Sequence, residues 1–251
     1  MVILKTVSEI ALMKEAGIIA ARALKIAGQT VEPGVTTYDI DRIARKYIEE
    51  AGAYPTFLGY RGYPAATCIS VNDEVIHGIP SKLRTIKNGD IVSIDVAATL
   101  NGFIGDNAFT FPCGEISAKA QALLDATKES LQEGIKQAKA GNRLGDISSA
   151  VQKYVEALDY SVVREYVGHG VGQSLHEDPS VPNFGTSGRG TRLLPGMTLA
   201  VEPMINEGRA DILNMSDGWT VKTADRSLSA HFEHTLAITP NGPVILTDPM
   251  L

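Results

Sequence analysis

The chain has 251 residues, enough for one large domain or two small ones around a buried core. It carries 23 Lys and Arg against 29 Asp and Glu, a net charge of −6 without any basic stripe, which argues against nucleic-acid binding, while 44% hydrophobic and 21% charged residues exclude disorder. No apolar run reaches the ~18 residues of a membrane span, the first residues lack a signal-peptide pattern, and Cys68 and Cys113 form no Cys-x-x-Cys pair, so the expectation is a cytoplasmic protein without a disulfide framework or a thiolate zinc site.

Ile10, Met13, Ala16, Ala20, Leu24 and Ala27 recur at helical spacing and predict a first amphipathic helix. Thr36 or Thr37 can cap a second, running through Ile40, Ile43, Ala44, Tyr47 and Ile48 to a stop at Gly52. Strand-like runs follow. Ser117 then caps a helix with Leu124, Thr127, Leu131, Ile135 and Ala138 on one side and Gly141 at its end, and Ile147, Ala150, Val151, Tyr154 and Val155 predict a fourth. The order helix, helix, strands is thus repeated.

The repetition has a fixed offset of 107 residues: Gly34, Asp39, Ile40, Lys46, Tyr47 and Glu49 recur as Gly141, Asp146, Ile147, Lys153, Tyr154 and Glu156. The same offset carries Gly89 onto Gly196 and Asp95 onto Glu202. The expectation is an α+β fold of two similar halves, about 1–115 and 116–251, with helices covering an antiparallel or mixed sheet and a carboxylate from each half meeting between them.

The run from Ile91 to Leu100, then Asn101-Gly102, then Phe103 to Phe111 reads as a hairpin with a two-residue turn, because Asn-Gly accepts positive φ at both central positions. Leu100 opposite Phe103 makes paired numbers sum to 203, which sets Asp106 against Ala97 and Asp95 against Ala108. Cross-strand partners share a face, so both aspartates lie on one side among alanines, with apolar Ile94, Val96, Phe103 and Ile104 around them. Like charges on an apolar hairpin call for a cation.

His169 within Gly-His-Gly-Val-Gly, Glu202 within an apolar run and Glu233 within another supply further donors. Four carboxylates and one imidazole balance two dications and suit Mn²⁺, Fe²⁺, Co²⁺ or Zn²⁺, which at ~3.5–4 Å separation would hold a bridging water as nucleophile.

Val-Asn-Asp-Glu-Val-Ile-His77-Gly-Ile-Pro, Asn-Gly-Asp-Ile-Val-Ser-Ile-Asp95-Val, Gly-Asp106, Gly-His169-Gly-Val-Gly, His176-Glu-Asp-Pro, Val-Glu202-Pro-Met, Asp-Gly-Trp219-Thr and Glu233-His-Thr together resemble type I methionine aminopeptidases over nearly the whole chain. The resemblance implies the duplicated pita-bread fold and removal of the initiator methionine from nascent polypeptides whose second residue is small. It implies that Asp95, Asp106, His169, Glu202 and Glu233 hold two metal ions, with Asp106 and Glu233 bridging. It further implies that His77 and His176 contact the substrate, and that Glu202 carries the proton from the attacking water to the leaving amine. Tyr60, Tyr63, Cys68 and Trp219 match positions that line the family's methionine pocket. The implied partner is the N-terminal methionine of a nascent chain at the ribosome, with no membrane and a monomeric enzyme.

Several positions depart from the family's usual pattern. Ala97, Ile104, Asn107 and Ala108 stand on the metal hairpin where relatives often carry polar or hydroxyl residues, and Phe57 and Leu175 alter the pocket. His231, next to Phe232-Glu233, reads either as a surface residue or as an extra donor near the metals. The sequence shows neither a zinc-binding N-terminal extension nor, in the 31 residues from Glu202 to Glu233, the helical insert of type II enzymes. The competing readings are a proline-directed aminopeptidase or dipeptidase of the same fold, and a non-catalytic binding module.

Overall fold

The structure is a computed structural model describing residues 1–248; the last three positions of the second half lie outside the described residues. Helices α1 (Val7–Gln29) and α2 (Thr37–Glu50) precede the strands of the first half, and α3 (Ala118–Gln137) and α4 (Leu144–Glu156) precede those of the second. Thr36 is the cap of α2: the Asp39 N–H donates to its hydroxyl at 3.2 Å while the Thr36 N–H reaches the Asp39 carboxylate at 3.4 Å. Ser117 caps α3 as expected. Gly141 does not end α3, however; that helix stops at Gln137, and Gly141 sits beyond it in a turn with φ +96°, a conformation glycine accepts without a Cβ penalty.

The 107-residue offset recurs in the backbone hydrogen bonds. Gly34 N–H to Ile86 C=O at 2.9 Å has its counterpart in Gly141 N–H to Leu193 C=O at 2.9 Å. Ile86 N–H to Val35 C=O likewise matches Leu193 N–H to Asn142 C=O, both at 2.8 Å. The isolated bridges Thr36–Thr85 and Arg143–Arg192 are related by the same shift.

Every strand ladder among the described residues is antiparallel. In the first half Ile91–Leu100 is the hub, pairing with Tyr54–Pro55, Thr67–Val71 and Phe103–Pro112. In the second, the order is Gly242–Ile245, His234–Thr239, Thr198–Val201, Gly168–Gly170, Glu177–Val181. Two three-stranded sheets complete the molecule, one of them joining Glu74–Ile76 of the first half to Val221–Thr223 of the second.

Alternation along Ile91–Leu100 divides its side chains between two environments. Val92, Ile94, Val96 and Ala98 pack in a cluster with Ala20, Leu24, Ile40, Ala44 and Ile48 of α1 and α2. A second cluster joins Leu123, Leu131 and Ile147 of α3 and α4 to Leu199, Leu236 and Ile238 of the five-stranded sheet. Helix α1 lies directly on the hairpin where Gly17 meets Gly105: a Cβ at Gly105 would fall 2.3 Å from the Gly17 Cα. Asp95 and Ala97, on the other face, look toward the contact between the halves, where the candidate site lies.

Candidate metal centre

The hairpin has the expected register, Asp95 opposite Ala108 and Ala97 opposite Asp106, without a bulge at Gly105, and Asn101 and Gly102 adopt φ of 52° and 79°. The second half docks on the main chain of this strand. The Thr235 hydroxyl accepts the Asp106 N–H at 3.0 Å and donates to the Asp106 C=O at 2.8 Å, while the Glu233 N–H donates to Ala108 C=O at 2.8 Å. Asp106 and Glu233 are thereby held together by their own backbones. His169 enters from Gly168–Gly170, paired opposite Ala200, two residues before Glu202. Adding a Cβ at Gly168 would place it 2.3 Å from the Ala200 C=O, and at Gly170 2.2 Å from the Asp178 C=O, so glycines on both sides let the imidazole strand approach its neighbours.

Asp95, Asp106, His169, Glu202 and Glu233 all line one cavity of about 320 Å³. Donor atoms of Asp106, His169 and Glu233 lie within 4.8 Å of one another, and so do those of Glu202, His231 and Glu233. His169 Nδ1 donates to the Gly170 C=O at 2.9 Å, leaving Nε2 to face Glu202 Oε1 at 3.4 Å and Asp106 Oδ2 at 3.8 Å. Burial, with His176 nearby, lowers the His169 pKa to about 4, so the ring is neutral at pH 7 and its Nε2 lone pair is free to bind a cation.

The carboxylates are perturbed in the opposite direction. Desolvation, followed by the charge of Asp106, pushes Asp95, Glu202 and Glu233 well above the usual carboxylate range, and desolvation brings Asp106 to about 7. Asp95 Oδ1, Asp106 Oδ1 and Glu233 Oε1 are buried without a hydrogen-bond partner. Buried acceptor oxygens left open beside a neutral imidazole fit divalent cations, which would repay their desolvation.

His77, His176, Tyr60, Tyr63, Cys68 and Trp219 line the same cavity, with Phe57 and Leu175. His77 takes the left-handed conformation, φ +59°, which strains a residue with a Cβ, and its ring is 6.2 Å from the edge-on Trp219 indole. Tyr63 packs edge-on against Trp219 at 5.0 Å, and its hydroxyl is shared between the Thr67 and Gly78 carbonyls at 3.0 and 2.9 Å. Asp217 anchors the tryptophan loop by accepting the Trp219 and Thr220 N–H groups, both at 2.9 Å. Cys68 is paired directly opposite Asp95. Tyr60 is more than a pocket wall, since its hydroxyl meets His176 Nδ1 at 2.7 Å.

The departures fall into place differently. Ala97, Ile104 and Ala108 are buried small or apolar residues of the hairpin, and Asn107 is buried with its Oδ1 unpartnered. His231 is not on the surface: it is 2% exposed, because its strand Ser229–His231 is sandwiched into the contact between the halves. Thr235, whose latch on Asp106 leaves no mark in an apolar β-run, is not legible in the sequence. Nor are Arg61, Glu165 and Tyr166 at the cavity wall, which belong to no motif.

The sequence profile of metallopeptidase family M24 matches residues 11–240. The chain belongs to this family. Within M24, it is 52% identical over 247 residues to the methionine aminopeptidase of Clostridium acetobutylicum, covering 98% of this chain and 99% of the relative. The crystal structure of methionine aminopeptidase from Thermotoga maritima superposes with a TM-score of 0.97 at 48% identity, covering 99% of this chain and all of that one. Prolidase from Pyrococcus furiosus, at 23% identity and a TM-score of 0.78, shares the pita-bread fold alone, and this chain spans 65% of its length. Among the described residues of this M24 chain no helix is long and apolar enough to cross a membrane.

Proposed function

We propose that the chain is a type I methionine aminopeptidase that removes the initiator methionine from nascent polypeptides when the second residue is small. The observation that carries the reading is the convergence of Asp95, Asp106, His169, Glu202 and Glu233 on one cavity that continues into an apolar, sulfur-containing recess. These five residues would hold two divalent ions, Mn²⁺, Fe²⁺, Co²⁺ or Zn²⁺. Bound there, the ions supply Lewis acidity toward the scissile carbonyl and a water made acidic enough to attack at neutral pH.

The protein's own groups do the rest. Glu202, beside His169 and lifted in pKa by burial, takes the proton released by the nucleophile and carries it to the leaving amine. The Tyr60 hydroxyl on His176 Nδ1 leaves Nε2 to donate to the carbonyl oxygen as it gains charge. His77, lowered to about 4 by burial and then by the nearby His176, is neutral and binds the peptide beyond the cleaved bond. Tyr60, Tyr63, Cys68 and Trp219 take the unbranched thioether, which suits a soft, aromatic-lined slot. All five cavity donors come from one chain, which supports a monomer, and a nascent-chain substrate supports a cytoplasmic location.

The test is metal-reconstituted protein on Met-Ala-Ser, Ala-Pro-Ser and Met-Lys-Ser, with Glu202→Ala as control. Methionine release from the first peptide alone, abolished in the variant, is expected. Cleavage dependent on proline would support the prolidase-like reading, and no turnover on any peptide a binding module.

A further inference from the structure

One buried polar group at the centre has no task in the scheme above. His231 is 2% exposed, and its Nε2 is buried without a hydrogen-bond partner. It faces Glu202 Oε2 at 3.6 Å, whereas the other oxygen of the same carboxylate, Oε1, faces His169 Nε2 at 3.4 Å. Glu202 therefore stands between two imidazoles, one on each oxygen. His169 also approaches Asp106 at 3.8 Å, so Oε1 is the oxygen on the side of His169 and Asp106, and Oε2 the one on the side of His231.

The backbone of His231 is fixed independently of that side chain. Its N–H donates to the Thr110 hydroxyl at 2.9 Å, the Thr110 hydroxyl donates to its C=O at 3.0 Å, and Thr110 is bonded in turn to Ser93 at 2.8 Å. Pairing with Met204 sets His231 in register with the segment that follows Glu202. The ring is thus delivered to Glu202 by a rigid scaffold reaching from the hairpin of the first half.

We propose that His231 is the positioning residue for Glu202: its Nε2–H holds the outer carboxylate oxygen, so that the inner one alone is presented to the cations and the attacking water. This rests on reading Glu202 as a metal ligand and proton carrier. A carboxylate free to rotate could chelate one ion with both oxygens and lose the lone pair needed for proton transfer; a donor on Oε2 prevents that. The 3.6 Å separation is longer than a hydrogen bond and closes as the carboxylate settles against cations, as catalytic contacts do on ligand binding. The usual outer partner of a metal ligand is a donor or acceptor of this kind, and its loss weakens metal affinity by about 10- to 100-fold.

The experiment compares wild type, His231→Gln and His231→Leu, stripped with chelator and reloaded with Mn²⁺. Dissociation constants are measured by competition titration, coordinated imidazole nitrogens are counted by pulsed paramagnetic resonance, and the thermal midpoint of each metal-free protein confirms folding. The Leu variant is expected to bind Mn²⁺ about 10- to 100-fold more weakly with kcat reduced and KM for peptide little changed, the Gln variant to recover most of the loss through its amide N–H, and all three to show one imidazole. Equal affinities in all three proteins would overturn the inference alone. Two imidazoles in wild type and one in the variants would make His231 a ligand and overturn its positioning role. A wild type that binds no divalent ion would overturn both this inference and the proposed function.

Discussion

Without bound cations the protein should lose stability as pH rises above neutrality. The histidines act first: His77, His169 and His234 are lowered to about 4 and His231 to about 3, chiefly by burial. Between about pH 4.5 and their unfolded pKa of about 6.5 the unfolded chain holds histidine protons that the folded one lacks, while the folded chain holds carboxylate protons that the unfolded one has lost, so the two sets oppose each other and stability changes little. Above it the histidines are neutral in both states and the carboxylates decide the slope. Their folded pKa values are raised, so the folded protein now holds protons that the unfolded chain has lost, and each retained proton lowers stability by about 1.4 kcal/mol per pH unit. Asp106, at about 7, finishes its contribution near pH 8, while Asp95, Glu202 and Glu233, pushed well above the usual range, carry the decline onward. Asp106 alone accounts for a loss of about 0.3 kcal/mol between pH 7 and 8, and each proton still held by Asp95, Glu202 or Glu233 adds up to about 1.4 kcal/mol, against the roughly 5–15 kcal/mol of a typical domain. Urea unfolding in chelator at half-unit steps from pH 5 to 8.5 measures it. Saturating Mn²⁺ should abolish the decline, because metal replaces those protons and binds more tightly as pH rises. Stability of the metal-free protein that stayed level or rose between pH 7 and 8 would refute the reasoning.

Three further outcomes are expected. Asp41, 7% exposed, accepts the Ala66 and Thr67 N–H groups at 3.0 and 2.9 Å and the Thr67 hydroxyl at 2.9 Å, so Asp41→Ala should cost about 3 kcal/mol in urea unfolding by stranding buried donors. Lys5 and Glu177 form an ion pair with side chains 4% and 7% exposed, next to His176; Lys5→Met should destabilise by about 3–5 kcal/mol, and the double variant Lys5→Met/Glu177→Gln should recover much of it. Trp219→Ala, which opens the recess against Tyr63 and His77, should lower kcat/KM for a methionyl peptide by about 10- to 100-fold, with metal affinity unchanged by titration.

The sequence disclosed those features that depend on local rules. Asn101-Gly102 dictates the turn, and alternation then places Asp95 and Asp106 on one face without knowledge of the rest of the chain. Thr36 and Asp39 mark a helix start by side-chain chemistry that acts within four residues. Gly141 misled because its positive φ serves a turn past the helix, a use that looks the same in sequence as a helix stop. Contacts between the halves were hidden for a different reason. The Thr235 latch on Asp106 spans 129 residues, and the Tyr60–His176 bond spans 116, so no spacing rule reaches them. His231 shows the same limit: its type was visible as unusual, but whether it faced solvent or Glu202 depended on how Ser229–His231 docks against Met204–Asn206.

The proposed reaction requires the five distant side chains to hold a pair of cations in one place. Anomalous diffraction from crystals equilibrated with Mn²⁺ measures this directly. Two peaks a few ångströms apart are predicted, both within the cavity lined by Asp95, Asp106, His169, Glu202 and Glu233. Manganese found only elsewhere on the protein, or these residues pointing apart with no peak between them, would contradict the account.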